Sequence, residues 1–454
     1  MSKSLFGAFE NISEKAWKQK IQVDLKGADY NETLVWNSIE GINVKPFYHA
    51  DSFDELNSIS NTKATDWKIC QSIFVADVKK SNKKALDALQ RGAESLKFTI
   101  PTSSISIEDL LQDIDHSTTL IHFELEFLSA EFVKQLSDIQ TTAGIYIHTD
   151  IIGNLAKSGN WHINLQEDHK AFDAIIAATS AFSVDVSLYQ NAGATIVQQL
   201  AYALAHANEY LNHLRGLNTE LQITFNVSVG SNYFFEIAKL RALRLLWKSL
   251  VSEYYKTDIE CHIIVTPSKR NKTLYDYNTN MLRTTTECMS AILGGANTIC
   301  NLPYDAIYHK DNEFGERIAR NQLLVLKHES YFDKVNNPAD GTYYIETLTK
   351  QFAEKGLALF KDIELNGGFL KQLKQSIIQR KIKASSVTEQ DQFNKGEMVL
   401  LGTNKHPNVN DQMAHEIELF PFVKRNPRKT LIEPIIPNRL AEKMEQERLI
   451  SEQQ

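Results

Sequence analysis

An alternation of short and long segments, beginning near residue 70 and repeated eight times, constrains this chain more than any other feature. The short segments are apolar or β-branched runs: SIFVAD (72–77), LKFTIP (96–101), TLIHFEL (119–125), GIYIHTD (144–150), FSVDVSL (182–188), LQITFNVSV (221–229), CHIIVTP (261–267) and ANTICNLP (296–303). Runs of this length and composition read as buried strands. Each is followed by a segment of helical period, such as 81–94, 193–216 and 232–254. Ser231 and Asn232 are capping candidates ahead of the stripe Phe235, Ala238, Ala242, Leu245, and a helix from Thr279 to Leu293 would stop at Gly294-Gly295. Strand then helix, eight times, is the order of an α/β chain folded as a (β/α)8 TIM barrel. A doubly wound open sheet also alternates, but no G-x-G-x-x-G follows the first run, which removes the simplest argument for a dinucleotide fold.

The alternation divides the chain into an N-terminal arm (1–66), the barrel (67–341), further helices completing the barrel domain (342–405, with a turn at Gly367-Gly368) and an extended tail (406–454). The tail's last part, RNPRKTLIEPIIPNRLAEKMEQERLISEQQ (425–454), carries three prolines and then a charged helical end, and is expected to lead to nothing. In the arm, ADYNETLVWNSIEGINVKPFYHADS (28–52) crowds Tyr30, Leu34, Val35, Trp36, Ile42, Val44, Phe47 and Tyr48 together. A segment that apolar has to be covered, by its own domain or by another chain.

With 454 residues and 43% hydrophobic content the chain can build a large core. Its net charge of −7, with both signs interspersed, leaves no basic stripe for nucleic acid. No apolar run is long enough for a membrane span, no signal core opens the sequence, and Cys70, Cys261, Cys288 and Cys300 show no C-x-x-C spacing. The expectation is a cytoplasmic protein with buried free thiols.

Catalytic groups of TIM barrels sit at the C-terminal ends of the strands. Here those ends supply Asp77, Asp150, Ser187, Tyr189, Gln190, Ser228, Ser231, Thr266, Ser268 and Asn301. Of these only the two aspartates would titrate, and no histidine stands immediately beyond a strand to bring a pKa near neutrality, so the rim is chemically quiet. His122, His148 and His262 fall inside strands; His206 and His213 share a helix without an H-E-x-x-H pattern, so core or solvated roles outweigh metal binding. The TSSIS loop (102–106) reads as a helix cap.

Several long blocks in order, KGADYNETLVWNSIEGINVKPFY, AGATIVQQLAYALAHANEYL, NYFFEIAKLRALRLLWKSLV, MLRTTTECMSAILGGANTICNLPYD and ERIARNQLLVLKHESYFDKVNNPADGTYYIETLT, resemble the adenosylcobalamin-dependent methylmalonyl-CoA mutases along almost the whole chain. The resemblance implies a barrel built to exchange (R)-methylmalonyl-CoA and succinyl-CoA by radical chemistry that the cofactor supplies. Catalytic chains of the family carry a cobalamin domain with a D-x-H-x-x-G motif, whereas here no Asp stands two residues before a His. They read approximately G-Y-H-M-Q-E-A-G-A-T after the fifth strand; this chain reads VSLYQNAGAT, with Ser187 and Leu188 in place of the tyrosine and the histidine. Ser158, in TDIIGNLAKSG, stands where the family's substrate-binding arginine would be, and SNTKATDWKICQS lacks the R-G-x-Y stretch. Leucine donates no hydrogen bond to a thioester carbonyl, and serine cannot pair a carboxylate bidentately.

What the resemblance implies is therefore a non-catalytic small subunit with no cofactor of its own, partnering a large subunit that holds adenosylcobalamin and substrate. Tyr30, Trp36, Lys45, Phe47 and Tyr48 of the arm become contacts for that partner, and Asp150, Ser187, Tyr189, Gln190, Thr266 and Asn301 a vestigial pocket rim. The alternatives are a catalytic acyl-CoA mutase barrel that borrows a cobalamin domain from a separate chain, and a self-associating protein. A homodimer of the isolated chain also stays open.

Overall fold

The computed structural model describes residues 7, 9–53, 62–216, 221–424 and 427–452. All eight expected strands form: β1 Lys68–Phe74, β2 Ser95–Ile100, β3 Leu120–Leu125, β4 Ile145–His148, β5 Ala181–Asp185, β6 Gln222–Val229, β7 Cys261–Pro267 and β8 Thr298–Cys300. They are hydrogen-bonded in the order β4-β3-β2-β1-β8-β7-β6-β5. First and last strands pair in parallel, with Cys70 opposite Cys300, which an open doubly wound sheet would not do. The remaining seam, between β4 and β5, closes through Ser183 N–H to Thr149 O at 3.1 Å and Asp185 N–H to the Asp150 carboxylate at 2.8 Å. The chain is an α/β protein folded as a (β/α)8 barrel.

Helices fall between the strands where the apolar period placed them. The helix Ile196–His213 opens with Thr195 and Gln198 bonding each other's backbone N–H, a reciprocal cap of a kind that fixes a helix start. The helix Thr279–Leu293 has the expected bounds and stops at Gly294, followed by Gly295 at φ +85°. Ser106 caps the short helix Ile107–Leu110, as the TSSIS loop implied. Asn232 stands in front of the helix Tyr233–Val251 but its side chain makes no capping bond. Glu236 instead reaches back to accept from Gly230 N–H at 2.8 Å, so the longer carboxylate ties the loop to the helix.

The barrel interior is unusually polar. His122, Tyr146 and His262 meet across it, with ring centroids 5.0 Å apart for His122–Tyr146 and 4.0 Å for Tyr146–His262. Nδ1 of His122 lies 3.0 Å from Nε2 of His148, and His262 Nε2 lies 3.0 Å from Thr298 Oγ1. Burial first, then neighbouring positive charge, pushes His148 and His262 down to about 3, so both are neutral at ordinary pH. In the same layers Lys97, in register with His122, pairs with Glu124, in register with His148, at 2.8 Å. The four cysteines are buried and free.

Beyond the barrel, the helix Tyr343–Leu365 packs on its outside and the chain turns at Gly367-Gly368, both with positive φ. The stretch past residue 406, expected to lead to nothing, instead returns to the barrel. Leu431 and Ile432 N–H both bond Gly159 O, Ile435 N–H bonds Ala156 O, Asn438 N–H bonds Asn191 O and Leu440 N–H bonds Arg270 O. Pro427, Pro434 and Pro437 keep this strap extended while leaving those N–H groups free to pair. Ile432 and Ile435 are buried in the main core and Leu431 and Ile436 face out. Among the described residues no helix is long and apolar enough to cross a membrane.

Candidate functional site: the barrel mouth and the arm

The strand ends that should carry chemistry are occupied by structural work. Asp150 caps the helix Ile151–Ser158 through Gly153 N–H at 2.7 Å and accepts from Tyr210 Oη at 2.7 Å, with His206 Nε2 at 2.8 Å. Burial raises its pKa, but His206 and these hydrogen bonds outweigh that and hold the carboxyl below its ordinary range. His206 in turn lies 2.9 Å from Tyr189 Oη, so Tyr189 points away from the mouth into the core, fully buried. It does not form a rim with Asp150; the two are bridged by His206, which lies on a helix and not at a strand end.

The other rim candidates are scattered. Ser187 closes on Asp185 at 2.5 Å. Gln190 serves the buried Lys239, whose ammonium also bonds Ser228 O at 2.6 Å and pairs with Glu236 at 2.5 Å. Asn301 spans Ala319 O and Gln322, each at 2.9 Å, and locks the helix Glu313–His328 to β8. Thr266 lies half-buried near the end of β7 opposite Ser228. Asp77 caps the helix Val78–Gln90. His213 turns outward to Asp173, so the two histidines of its helix do not converge; among the described residues no three His, Cys, Asp or Glu side chains are grouped to hold a metal.

Two cavities remain at the mouth, of about 680 and about 570 Å³. They share Glu124, Lys157 and Asp185. The buried Leu188 lines the second, under a roof that includes Phe420, Phe422 and Arg439. Arg270 fastens this roof: its guanidinium donates to Asn438 O, to Ser386 Oγ and to Glu389, the last at 2.5 Å. Ser158 keeps its hydroxyl on Asn160 O and offers its carbonyl to Arg428 of the strap at 2.9 Å. The mouth thus presents an aliphatic side chain at the end of β5, and the chain's own strap lies over it.

The arm divides into anchored and presented residues. Ile42 is in the main core, Tyr30 is buried, and Glu40 accepts from Ile196 and Val197 N–H at 2.8 and 3.0 Å, using the free donors at a helix start. Nothing in the spacing of the arm announces Glu40, whose partners lie more than 150 residues away. Trp36 is 52% exposed with its ring 5.5 Å from Phe235; Tyr48 stacks on Tyr344 at 5.2 Å, Phe47 meets Trp17 at 6.3 Å, and Lys45 pairs with Glu14 at 3.2 Å. A further cavity of about 450 Å³ lies between the hairpin of residues 36–44 and the ends of β5–β7.

Comparison with known proteins agrees with this architecture. The family model described as methylmalonyl-CoA mutase matches residues 124–446. A methylmalonyl-CoA mutase small subunit from Porphyromonas gingivalis is 36% identical over 91% of this chain and 73% of its own length. A methylmalonyl-CoA mutase from Cereibacter sphaeroides is 30% identical over 86% of this chain and 64% of its own, and a small subunit from Propionibacterium freudenreichii is 25% identical over 94% and 73%. By its fold, the match of the family model and these relatives, the chain belongs to the methylmalonyl-CoA mutase family, a family of isomerases.

Proposed function

We infer that this chain is the non-catalytic small subunit of a heterodimeric methylmalonyl-CoA mutase, in which a large subunit holds adenosylcobalamin and acyl-CoA and performs the isomerisation of (R)-methylmalonyl-CoA and succinyl-CoA. The observation that carries the reading is the end of β5. There Leu188 is 4% exposed and lines the mouth, and the adjoining Tyr189 is committed to His206. Neither side chain can donate to a thioester oxygen placed in the mouth. The strap supports the same reading, because it lies across the C-terminal rim, the face a cobalamin domain would have to approach. The residues lining the mouth do not fit that cofactor. In this reading the complex works in the cytoplasm.

The test is reconstitution. The isolated chain should show no saturable binding of adenosylcobalamin and no turnover, even with a free cobalamin-domain protein added; mixing with a large subunit should give a 1:1 complex by sedimentation. Turnover without a large subunit would overturn the reading.

A further inference from the structure

The four buried thiols of this chain do not have the same surroundings. Cys261 stands opposite Ile223, and its sulfur meets the Arg244 guanidinium at 3.9 Å. Cys288 lies on the helix Thr279–Leu293 and donates to Asn301 Oδ1 at 3.4 Å. Burial pushes Cys261 up, and burial followed by the neighbouring Glu287 pushes Cys288 well up. Both are inert core thiols by these measures.

Cys70 and Cys300 are placed otherwise. They stand opposite each other in the register of β1 and β8, the first and last strands of the barrel. Neighbours in register on adjacent strands lie about 4.8 Å apart, inside the roughly 4.4–6.8 Å between Cα atoms that a disulfide spans. Ile73 and Val75 of β1, like Leu96 and Phe98 of β2, pack outward with Ala85 of the covering helix, so the alternate residues Cys70, Ser72, Phe74 and Lys97 face the barrel interior. Ser72 and Lys97 are in register with each other one layer above the thiols, toward the mouth. Cys300 alone of the four cysteines is drawn below its ordinary range: the Cys70 thiol beside it does most of this, the Lys97 ammonium and the Ser72 hydroxyl add to it, and burial and Glu124 oppose it. Burial, and then Cys300 itself, pushes Cys70 well up. The pair therefore joins one thiol that ionises readily to one that keeps its proton. Cys70 and Cys300 are 5% and 2% exposed, but Ser72 is exposed and Phe74 is 48% exposed on the same inward face, so a reagent as small as a peroxide has one layer to pass.

We propose that Cys300 and Cys70 form a dithiol that a hydroperoxide oxidises, with Cys300 attacking, Cys70 resolving and Lys97 as the positioning cation. The Cys300 sulfur attacks the terminal peroxide oxygen and the O–O bond breaks. The alcohol, or water when the oxidant is hydrogen peroxide, leaves with the thiol proton, and Cys300 becomes a sulfenic acid. The Cys70 sulfur then attacks the Cys300 sulfur, its proton departs with the hydroxyl as water, and an S–S bond joins β1 to β8. The two electrons given up by the thiols are those that reduce the peroxide. The site stands apart from the small-subunit role, because it is built from this chain alone and is tested without a partner.

Treated with hydrogen peroxide under native conditions, the isolated full chain is expected to lose the mass of two hydrogens and to yield a peptide pair linking Cys70 to Cys300, which dithiothreitol separates. Cys70→Ser should stop at a sulfenic acid on Cys300 that dimedone traps, whereas Cys300→Ser should leave Cys70 unmodified. Cys261 and Cys288 are the internal references, and should react at least about ten-fold more slowly than Cys300 until the chain is unfolded in urea. Lys97→Gln should slow the oxidation of Cys300 and Lys97→Arg should retain it, with the rates at Cys261 and Cys288 unchanged in both. An unchanged mass, a bond between other cysteines, or a Cys300 that reacts no faster than Cys261 and Cys288 overturns the proposal.

Discussion

Two carboxylates that bond backbone N–H groups titrate in opposite directions, and the reason is what else surrounds them. Asp150 has His206 and Tyr210 against it and is held low, so its contribution is complete above the ordinary aspartate range and is lost as pH falls through and below it. Glu40 has only the two N–H groups of the helix start, with Glu236 opposing and Lys239 assisting from farther off, and burial raises it to about 7. Between about 4.5 and 7 the folded chain therefore holds a proton that the unfolded chain has released. Stability is lost as pH rises across that window, by roughly 3 kcal/mol, and levels off above it. Urea titration at pH 5 and pH 8 should show this loss in the parent and a smaller one in Glu40→Gln; an equal loss in both would place the titration elsewhere. Asp150→Ala should cost about 3–5 kcal/mol by equilibrium unfolding, because it opens the β4–β5 seam and strips His206 and Tyr210 of a partner.

At the scale of elements, the strands and helices of the barrel were legible because each buries a face with a fixed period, and period survives in sequence. Leu188 and Ser158 stand out not by period but by the resemblance, from their places in VSLYQNAGAT and TDIIGNLAKSG. The strap was not legible, and the physical reason is plain. It has no periodic apolar face, only a few isoleucines between prolines, and it is held by isolated backbone bonds to Ala156, Gly159, Asn191 and Arg270, all more than 150 residues earlier. Its closest approach is at Gly159, where φ is +79° and an added Cβ would lie 2.8 Å from Ile432 O and from Thr430 Cβ. Gly159→Ala should thus displace the strap at that point, costing about 1–3 kcal/mol and speeding proteolysis between residues 424 and 438 while leaving the barrel's circular dichroism unchanged. Arg270→Ala should act at the other end of the strap, with a loss of about 3 kcal/mol, because Glu389 then keeps a partly buried charge without its partner. Were both variants as protease-resistant as the parent, the strap would be held by something other than these contacts.

Across the whole molecule the mouth and its rim aspartate do structural work, and the arm is one of the surfaces that expose large apolar side chains. The arm is neither wholly anchored nor wholly presented. Ile42, Tyr30 and Glu40 fix it to its own barrel, whereas Trp36 leaves half its surface in water and Ile39, Trp17 and Val23 are exposed nearby. An aromatic held in place by one neighbouring ring and otherwise open is suited to being buried by a second chain, since its position costs little further ordering. Trp36→Ala should then cost the isolated chain only about 1 kcal/mol, the worth of one partial ring contact with Phe235. The same change should weaken association with a large subunit by about 2 kcal/mol or more, roughly 30-fold, when the two are titrated together. Ile42→Ala offers the contrasting case: it removes a fully buried side chain and should cost the isolated chain about 2–5 kcal/mol. If Trp36→Ala unfolds the chain more than it loosens the complex, the arm belongs to the intramolecular core throughout, and the partner must meet another face of the barrel.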